Sequence, residues 1–369
     1  MERKTSIQLA FIIITMLVLP GLSYCSKLKF SQEDTEFPEK RFQTTIITDE
    51  AEAVLSILEK IKNSQVLNQP DWDRLFSTVG YLRLKKREHS MQRRFDDTAF
   101  KSFVLNKELL EKMPELKKTL QLWKQMDLKK AAKKAFDYLP EDAVIKVKIY
   151  PVIKKAPNSF VFETNTDNPA IFFYMNTDVK AEELENTIAH ELHHIGVGNV
   201  GKLGKADSTV PMNVKRTLGW MGGFSEGRAM LAAAGGPLTD PHKLSDSAKR
   251  AVWYRDLANA AADMKNMEEF FLRLLDGKIA ESDEFKEGMK FIVSDTVPQG
   301  PFYTVGWLMA SEVEKKFGRQ RLIDTINDPL AFISDYNIAA SETNGSERQN
   351  LPLWSVEFLN RISQLKKYN

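Results

Sequence analysis

Three of the five histidines fall within five residues, His190-Glu191-Leu192-His193-His194. His190 and His194 are four apart. On an α-helix their imidazoles therefore stand one turn apart on one face, where a single zinc ion can take a nitrogen from each. Glu191 projects about 100° round the helix from His190. That direction sets its carboxylate beside the open position of such an ion, where it can take a proton from water. The metal contributes Lewis acidity and a lower pKa for the water, and the glutamate is the base. By chance alone this HExxH pattern arises in on the order of one chain in a hundred of this length, so its context has to decide. His193 falls off the ligand face, which suits packing or support of a ligand better than ligation.

The context is that of a built site. Leu184, Ile188, Leu192 and Ile195 form one apolar stripe pointing away from His190 and His194. One side of the helix can then pack on a sheet while the other faces a cleft. An apolar strand pattern precedes it, and Gly196 and Gly198 are expected to end it. A catalytic zinc takes three protein ligands and keeps one position open. Glycine and histidine at 197 and 200 would complete the metzincin form, but the chain has Val197 and Val200. Among later residues Glu226 is favoured. Gly219, Gly223 and Gly227 recur every four residues around it and would let its helix approach the histidine helix closely. Asp240 and His242 are the alternatives.

The elements that must position these residues can be read in outline. From Asp49 the pattern is helical, with Asp49 and Glu52 as a capping pair and Val54, Ile57, Leu58 and Ile61 at helical spacing. A helix opening at Pro70 holds Trp72, Leu75, Val79 and Leu82, and further helices are expected near 97–105, 114–126 and 129–139. Lys129, Lys130, Lys133 and Lys134 cluster on the last of these, as a solvated face or as a surface for an anionic envelope. After Pro140, Ile145, Val147 and Ile149 alternate with Lys146 and Lys148, a strand with one wet face. Phe160–Glu163 and Ala170–Met175 are further strands, and helices resume at Ala181. The fold class is α+β: mostly helical, with a small sheet followed by the HExxH helix.

Arg3 and Lys4 precede an apolar run, Leu9 to Leu19, which Pro20 and Gly21 end. This is the form of a secretory leader over residues 1–25, and it predicts an extracytoplasmic protein. Leu22-Ser23-Tyr24-Cys25 resembles a lipobox, although Tyr24 stands where a small residue is usual. Cys25 is therefore either a lipidated membrane tether or the last residue of a cleaved leader. Residues 26–45 read as a polar tether, 46–140 as a helical N-terminal region and 141–369 as the catalytic domain. Lys and Arg total 52 against 50 Asp and Glu, which leaves no phosphate-neutralising excess and excludes nucleic acid as a partner. The single cysteine excludes an internal disulfide and a cysteine-based zinc knuckle.

Residues 190–194 with Glu226 resemble the gluzincin zinc peptidases, in which HExxH is followed by a glutamate on a later helix. Ser225-Glu226-Gly227-Arg228-Ala229 is similar to the second half of that signature, although 31 residues separate His194 from Glu226, more than in thermolysin-like enzymes. More closely, the chain resembles a bacterial family of exported zinc-dependent peptidases that carries a domain-of-unknown-function label. That resemblance extends through Trp72–Glu88 and Arg94–Leu105 and covers about residues 50 to 340. It implies a zincin-like fold, one zinc per chain and a peptide or protein substrate. It also implies a donor for the developing oxyanion. Tyr303, which begins a helix after a Pro/Gly turn, is the candidate, with core packing as its other reading; Tyr254 and His242 are weaker ones. The edge of strand Ala170–Met175 would receive a substrate backbone. The competing reading is a non-catalytic exported protein that holds a metal or peptide, and the intact Glu191 argues against it. Metal-assisted hydrolysis of another envelope amide is a third.

Overall fold

A computed structural model describes residues 37–163, 166–201, 209–293, 299–347 and 349–368. The leader, Cys25 and the first part of the tether lie outside the described residues. The rest of the tether does not hold as one: Phe42–Ile46 is a strand, β1, in parallel register with residues 145–149 of β2 (Ile145–Val152). Its alternation is short and half polar, and its partner lies about a hundred residues on, so local pattern alone could not reveal the pairing. The sheet order is β1-β2-β4-β3. β4 (Ala170–Tyr174) runs parallel to β2, and β3 (Phe160–Phe162) is antiparallel to β4. The lysines of β2 are exposed and its isoleucines buried, as the alternation predicts. The expectation of a free edge at Ala170–Met175 fails. β2 flanks β4 along its length, and β3 covers it from Ala170 to Phe172.

Six helices separate β1 from β2: α1 (Asp49–Lys62), α2 (Gln69–Phe76), α3 (Val79–Ser90), α4 (Asp97–Val104), α5 (Lys107–Gln125) and α6 (Leu128–Phe136). Asp49 stands inside α1, whose N-cap is Thr48, and accepts from Glu50 N of its own first turn at 2.8 Å. Its carboxylate accepts from Val79 N at 2.7 Å and Gly80 N at 3.1 Å, so it caps α3 from 30 residues away. That cap, with Thr78 on Tyr81 N, splits the single helix expected from Pro70 and leaves Val79 and Leu82 exposed. The N-terminal helices do not form a separate region. Val54, Leu58, Leu116 and Trp123 share one apolar core with Ile145 and Ile149 of the sheet, and residues 37–369 cluster as one unit.

That core also receives α7 (Ala181–Val200), the HExxH helix, through Leu184, Ile188, Leu192 and Ile195, the stripe read from the sequence. Gly196 and Gly198 lie inside α7 rather than at its end. A Cβ on Gly196 would come within 2.2 Å of Leu139 Cδ1, so this glycine serves close packing on the segment after α6. The lysine cluster is mostly spoken for as well. Lys130 and Lys134 close on Glu185 of α7 at 2.9 and 2.5 Å, and Lys129 pairs with Glu39. α6 is thus tied to the helix that carries the histidines, which leaves little of an open cationic face.

The C-terminal part is helical: α8 (Met212–Met221), α9 (Ser225–Ala234), α10 (Ser247–Ala258), α11 (Ala260–Leu275), α12 (Glu281–Met289), α13 (Pro301–Phe317), α14 (Arg319–Asp324), α15 (Pro329–Glu347) and α16 (Val356–Ser363). Phe224, Phe271, Phe302, Phe332 and Trp354 centre its own apolar core. No helix among the described residues is long and apolar enough to cross a membrane.

The glycine stripe works differently from its sequence reading. A Cβ on Gly227 would lie 2.1 Å from the backbone of Gly306 and Trp307, and one on Gly223 would lie 2.7 Å from the Phe302 ring, while Gly219 meets nothing within 4 Å. Gly223 and Gly227 therefore admit α13, not the histidine helix. Toward α7 the small residue is Ala233, which joins the same core as Leu192 and Ile195. Gly227→Ala should cost about 1–3 kcal/mol or more, because the clash is with backbone and no side chain can swing away. Urea denaturation reads this, and a midpoint equal to wild type would remove the contact from the argument.

Glu50 gives a second expectation. Its Oε2 accepts from Ile153 N at 3.0 Å, while Oε1 is buried without a partner. Burial, with Asp49 beside it, pushes the carboxyl up to about 8 against the bond from Ile153. A folded-state pKa above the unfolded one means that stability is full below about 4.5 and is lost as pH rises through 8. Glu50→Gln removes that loss, so between pH 5 and 8 its stability should gain on wild type by up to roughly 1.4 kcal/mol per pH unit. Parallel profiles in urea melts would show that Glu50 ionises freely in the folded chain.

Candidate metal centre

The middle of α7 meets the first turn of α9, which brings the histidines to Glu226. His190 Nε2 and His194 Nε2 lie 3.1 Å apart, and Glu226 Oε2 lies 3.2 Å from the first and 3.1 Å from the second. The side chains are largely covered, at 12, 15 and 21% exposure. Atoms that each carry a lone pair repel at such separations unless protons or a cation lie among them. Tetrahedral zinc with bonds of about 2.0–2.1 Å holds its ligand atoms about 3.3–3.4 Å apart, so the observed triangle is close to a ready-made face of that tetrahedron. Two imidazoles and one carboxylate are a donor set that zinc accepts. Among the described residues this is the group of acidic and histidine side chains able to hold a metal ion.

The electrostatics agree with the geometry. Burial works against the charge of Glu226, yet His194 and His190 hold its carboxyl well below the ordinary range. Burial likewise opposes a charged His194, and Glu226 overcomes it and raises the imidazole. The pocket thus favours one positive charge at the centre of the three side chains.

Glu191 is half-buried beside them. Burial pushes its carboxyl up, against the pull of His190 and His194. No hydrogen bond or ion pair engages it among the described residues, so both oxygens remain available. His193 is buried, and one ring nitrogen bonds to the Tyr138 backbone. Burial keeps its imidazole neutral, which matches the supporting place read for it.

Tyr303 joins the group. It stands on the first turn of α13, after Gly300, and its ring lies parallel to the His190 imidazole at 5°, with centroids 6.0 Å apart. Its hydroxyl hydrogen-bonds to Glu226, and burial, with the Glu226 and Glu191 carboxylates, pushes the phenol up and keeps it protonated. The contact of Gly227 with Gly306 makes this possible by seating α13 directly on α9. The other candidates lie elsewhere. Asp240 accepts from the exposed Tyr254 hydroxyl at 2.7 Å, and His242 lies tilted against Trp253 and meets Ser245 Oγ at 3.1 Å. None of the three joins the triangle.

One residue escaped the sequence reading. Arg228, two positions beyond Glu226, is 7% exposed. The available signal was a lone charge followed by Ala229-Met230-Leu231-Ala232-Ala233, a run that belongs in a core. No curated protein and no solved structure matches the chain. Residues 72–345, which span α2 to α15 and include all of these side chains, match the family described as “Putative zinc dependent peptidase”. On that match over most of its length, the chain belongs to this family.

Proposed function

We propose that the protein is a gluzincin-type peptidase that acts outside the cytoplasm, binds one zinc ion per chain and hydrolyses peptide bonds. The observation that carries this reading is the triangle of His190, His194 and Glu226 with the unengaged Glu191 carboxylate beside it. Held by those three side chains, zinc supplies Lewis acidity toward a peptide carbonyl and lowers the pKa of water at its remaining position. Glu191 takes the proton from the attacking water as the new C–O bond forms. It then gives that proton to the departing amine nitrogen as the C–N bond breaks. Tyr303 donates its hydroxyl hydrogen to the carbonyl oxygen as negative charge builds there. Export rests on the leader pattern of residues 1–25, with Cys25 as lipid anchor or as the end of a cleaved leader.

Glu191→Gln separates an enzyme from a protein that merely holds metal or peptide. The amide is nearly isosteric and replaces no ligand, so zinc content should stay at one per chain, whereas His190→Ala should lose most of it. Turnover of a peptide library by Glu191→Gln should fall at least about 10²–10⁴-fold, because an amide cannot accept the water's proton. Equal turnover by the two proteins would remove Glu191 as the base. Absence of turnover in both, with unchanged peptide affinity, would identify a binding protein.

Tyr303→Phe distinguishes two uses of one hydroxyl. As oxyanion donor its loss should lower kcat by about 10²–10³ with KM and zinc content unchanged. If zinc content drops instead, the hydroxyl serves to hold Glu226 in place and the donor is another group.

A further inference from the structure

A cavity of about 420 Å³ is lined by residues that follow His194 on α7 and flank Glu226 on α9. Gly198, which lines it, stands one turn beyond His194 on the same face of α7, and Ser225 directly precedes Glu226. Met221, Phe224, Ile326, Pro329 and Phe332 give it apolar walls. Among its described lining residues Arg228 is the one charge, and no acid is present.

Arg228 is in an uncomfortable position without a ligand. It is 7% exposed, and its Nε is buried with no hydrogen-bond partner. One terminal nitrogen donates to Thr325 O at 3.0 Å and Thr325 Oγ1 at 3.1 Å, and the guanidinium carbon lies 4.0 Å above the Phe332 ring. No described carboxylate comes within ion-pair distance, and Asp328 acts on it from farther away. Two other buried charges are paired, Glu185 with Lys130 and Lys134 and Arg83 with Glu163, while Lys154 is met by the neutral Ala156 O and Asn158 Oδ1. A buried cation left without an anion is destabilising, and the planar fork of arginine matches a carboxylate. Neutral donors and an aromatic face reduce that cost but do not cancel the charge.

We infer that this cavity is a subsite for a carboxylate carried by the substrate, bound by Arg228 with Ser225 at the rim. The inference rests on the peptidase reading and narrows it to a substrate class. One helical turn is about 5.4 Å and one extended residue about 3.3 Å, so the carboxylate belongs to a residue one or two positions from the scissile bond. Two sources share this chemistry: an acidic side chain, or the free C-terminus of a peptide cut near its end.

Calorimetric titration of the full chain, stripped of metal by chelation, tests this without any turnover and without carboxylates binding the metal. N-acetyl-leucine against N-acetyl-leucinamide probes the terminal source, and N-acetyl-glutamate amide against N-acetyl-glutamine amide probes the side-chain source. The acid of at least one pair should bind about tenfold or more tightly than its amide, and that pair identifies the source. Arg228→Met should abolish the preference, and Arg228→Lys should weaken it. Gly219→Leu keeps the charge but fills the rim. Its Cβ meets nothing within 4 Å, so the fold should tolerate it, and it should lower affinity for both members of the pair. Equal binding of acid and amide in both pairs would overturn the subsite, as would a preference that survives Arg228→Met. Peptide turnover with no carboxylate preference would sink this inference alone. A carboxylate preference in a chain that hydrolyses nothing would sink the peptidase reading and leave the anion site.

Discussion

Backbone meets backbone where Gly227 of α9 crosses Gly306 of α13, and no side chain larger than hydrogen fits at Gly227. Everything on the chemical side of the molecule is referred to that contact. It fixes where α9 stands, hence where the carboxylate of Glu226 points one residue earlier. It also fixes the first turn of α13, hence the place of Tyr303 over His190. A metal ligand must be held to a few tenths of an ångström, since zinc bonds of about 2.0–2.1 Å tolerate little error. Rigid helix contacts deliver that accuracy and loops do not. On the other side of the site α7 is fixed by its apolar stripe in the sheet core and by the lysine pair of α6 on Glu185.

How much of this the sequence carries depends on the range of the interaction. The histidine pair, the glutamate between them and the apolar stripe lie within one helix, and periodicity exposes them in full. The alternating β2 and the apolar β4 are legible for the same reason. β1 is not, because a five-residue, half-polar strand becomes one through pairing with residues far along the chain. Asp49 is misread for a related reason: an acid at a helix start looks like a purely local cap, and here the same carboxylate also caps a different helix. The glycine stripe shows the same limit. Its spacing reveals that something approaches closely, while only the packing reveals what. Tyr303, whose place depends on α13 docking against α9, could be proposed from the sequence but not located by it.

Small polar arrangements around the site repeat one theme. His193 is neutral and bonded to the Tyr138 backbone, Glu185 is clamped, and Tyr303 is bonded to Glu226. Each removes a degree of freedom from α7 or α9 without adding a charge that competes with the centre. Among the described residues Arg228 and Glu191, like the neutral His193, have no ion-pair partner. On the proposed function, Arg228 and Glu191 are the groups expected to wait for substrate and for water.

The two apolar cores have a bearing on how such a protein endures. His190 and His194 belong to a helix packed in the core shared with the sheet, whereas Phe224 and Leu231, which flank Glu226 in sequence, pack in the other core. An ion bound by all three side chains is therefore a cross-link between the two apolar cores, added to the packing of Ala233 of α9 in the core of α7. By mass action, any such ion raises the cost of unfolding in proportion to the logarithm of its free concentration. Persistence in a scarce-metal environment would then fall together with activity, and the apo chain would become the form most open to the attack of other proteases.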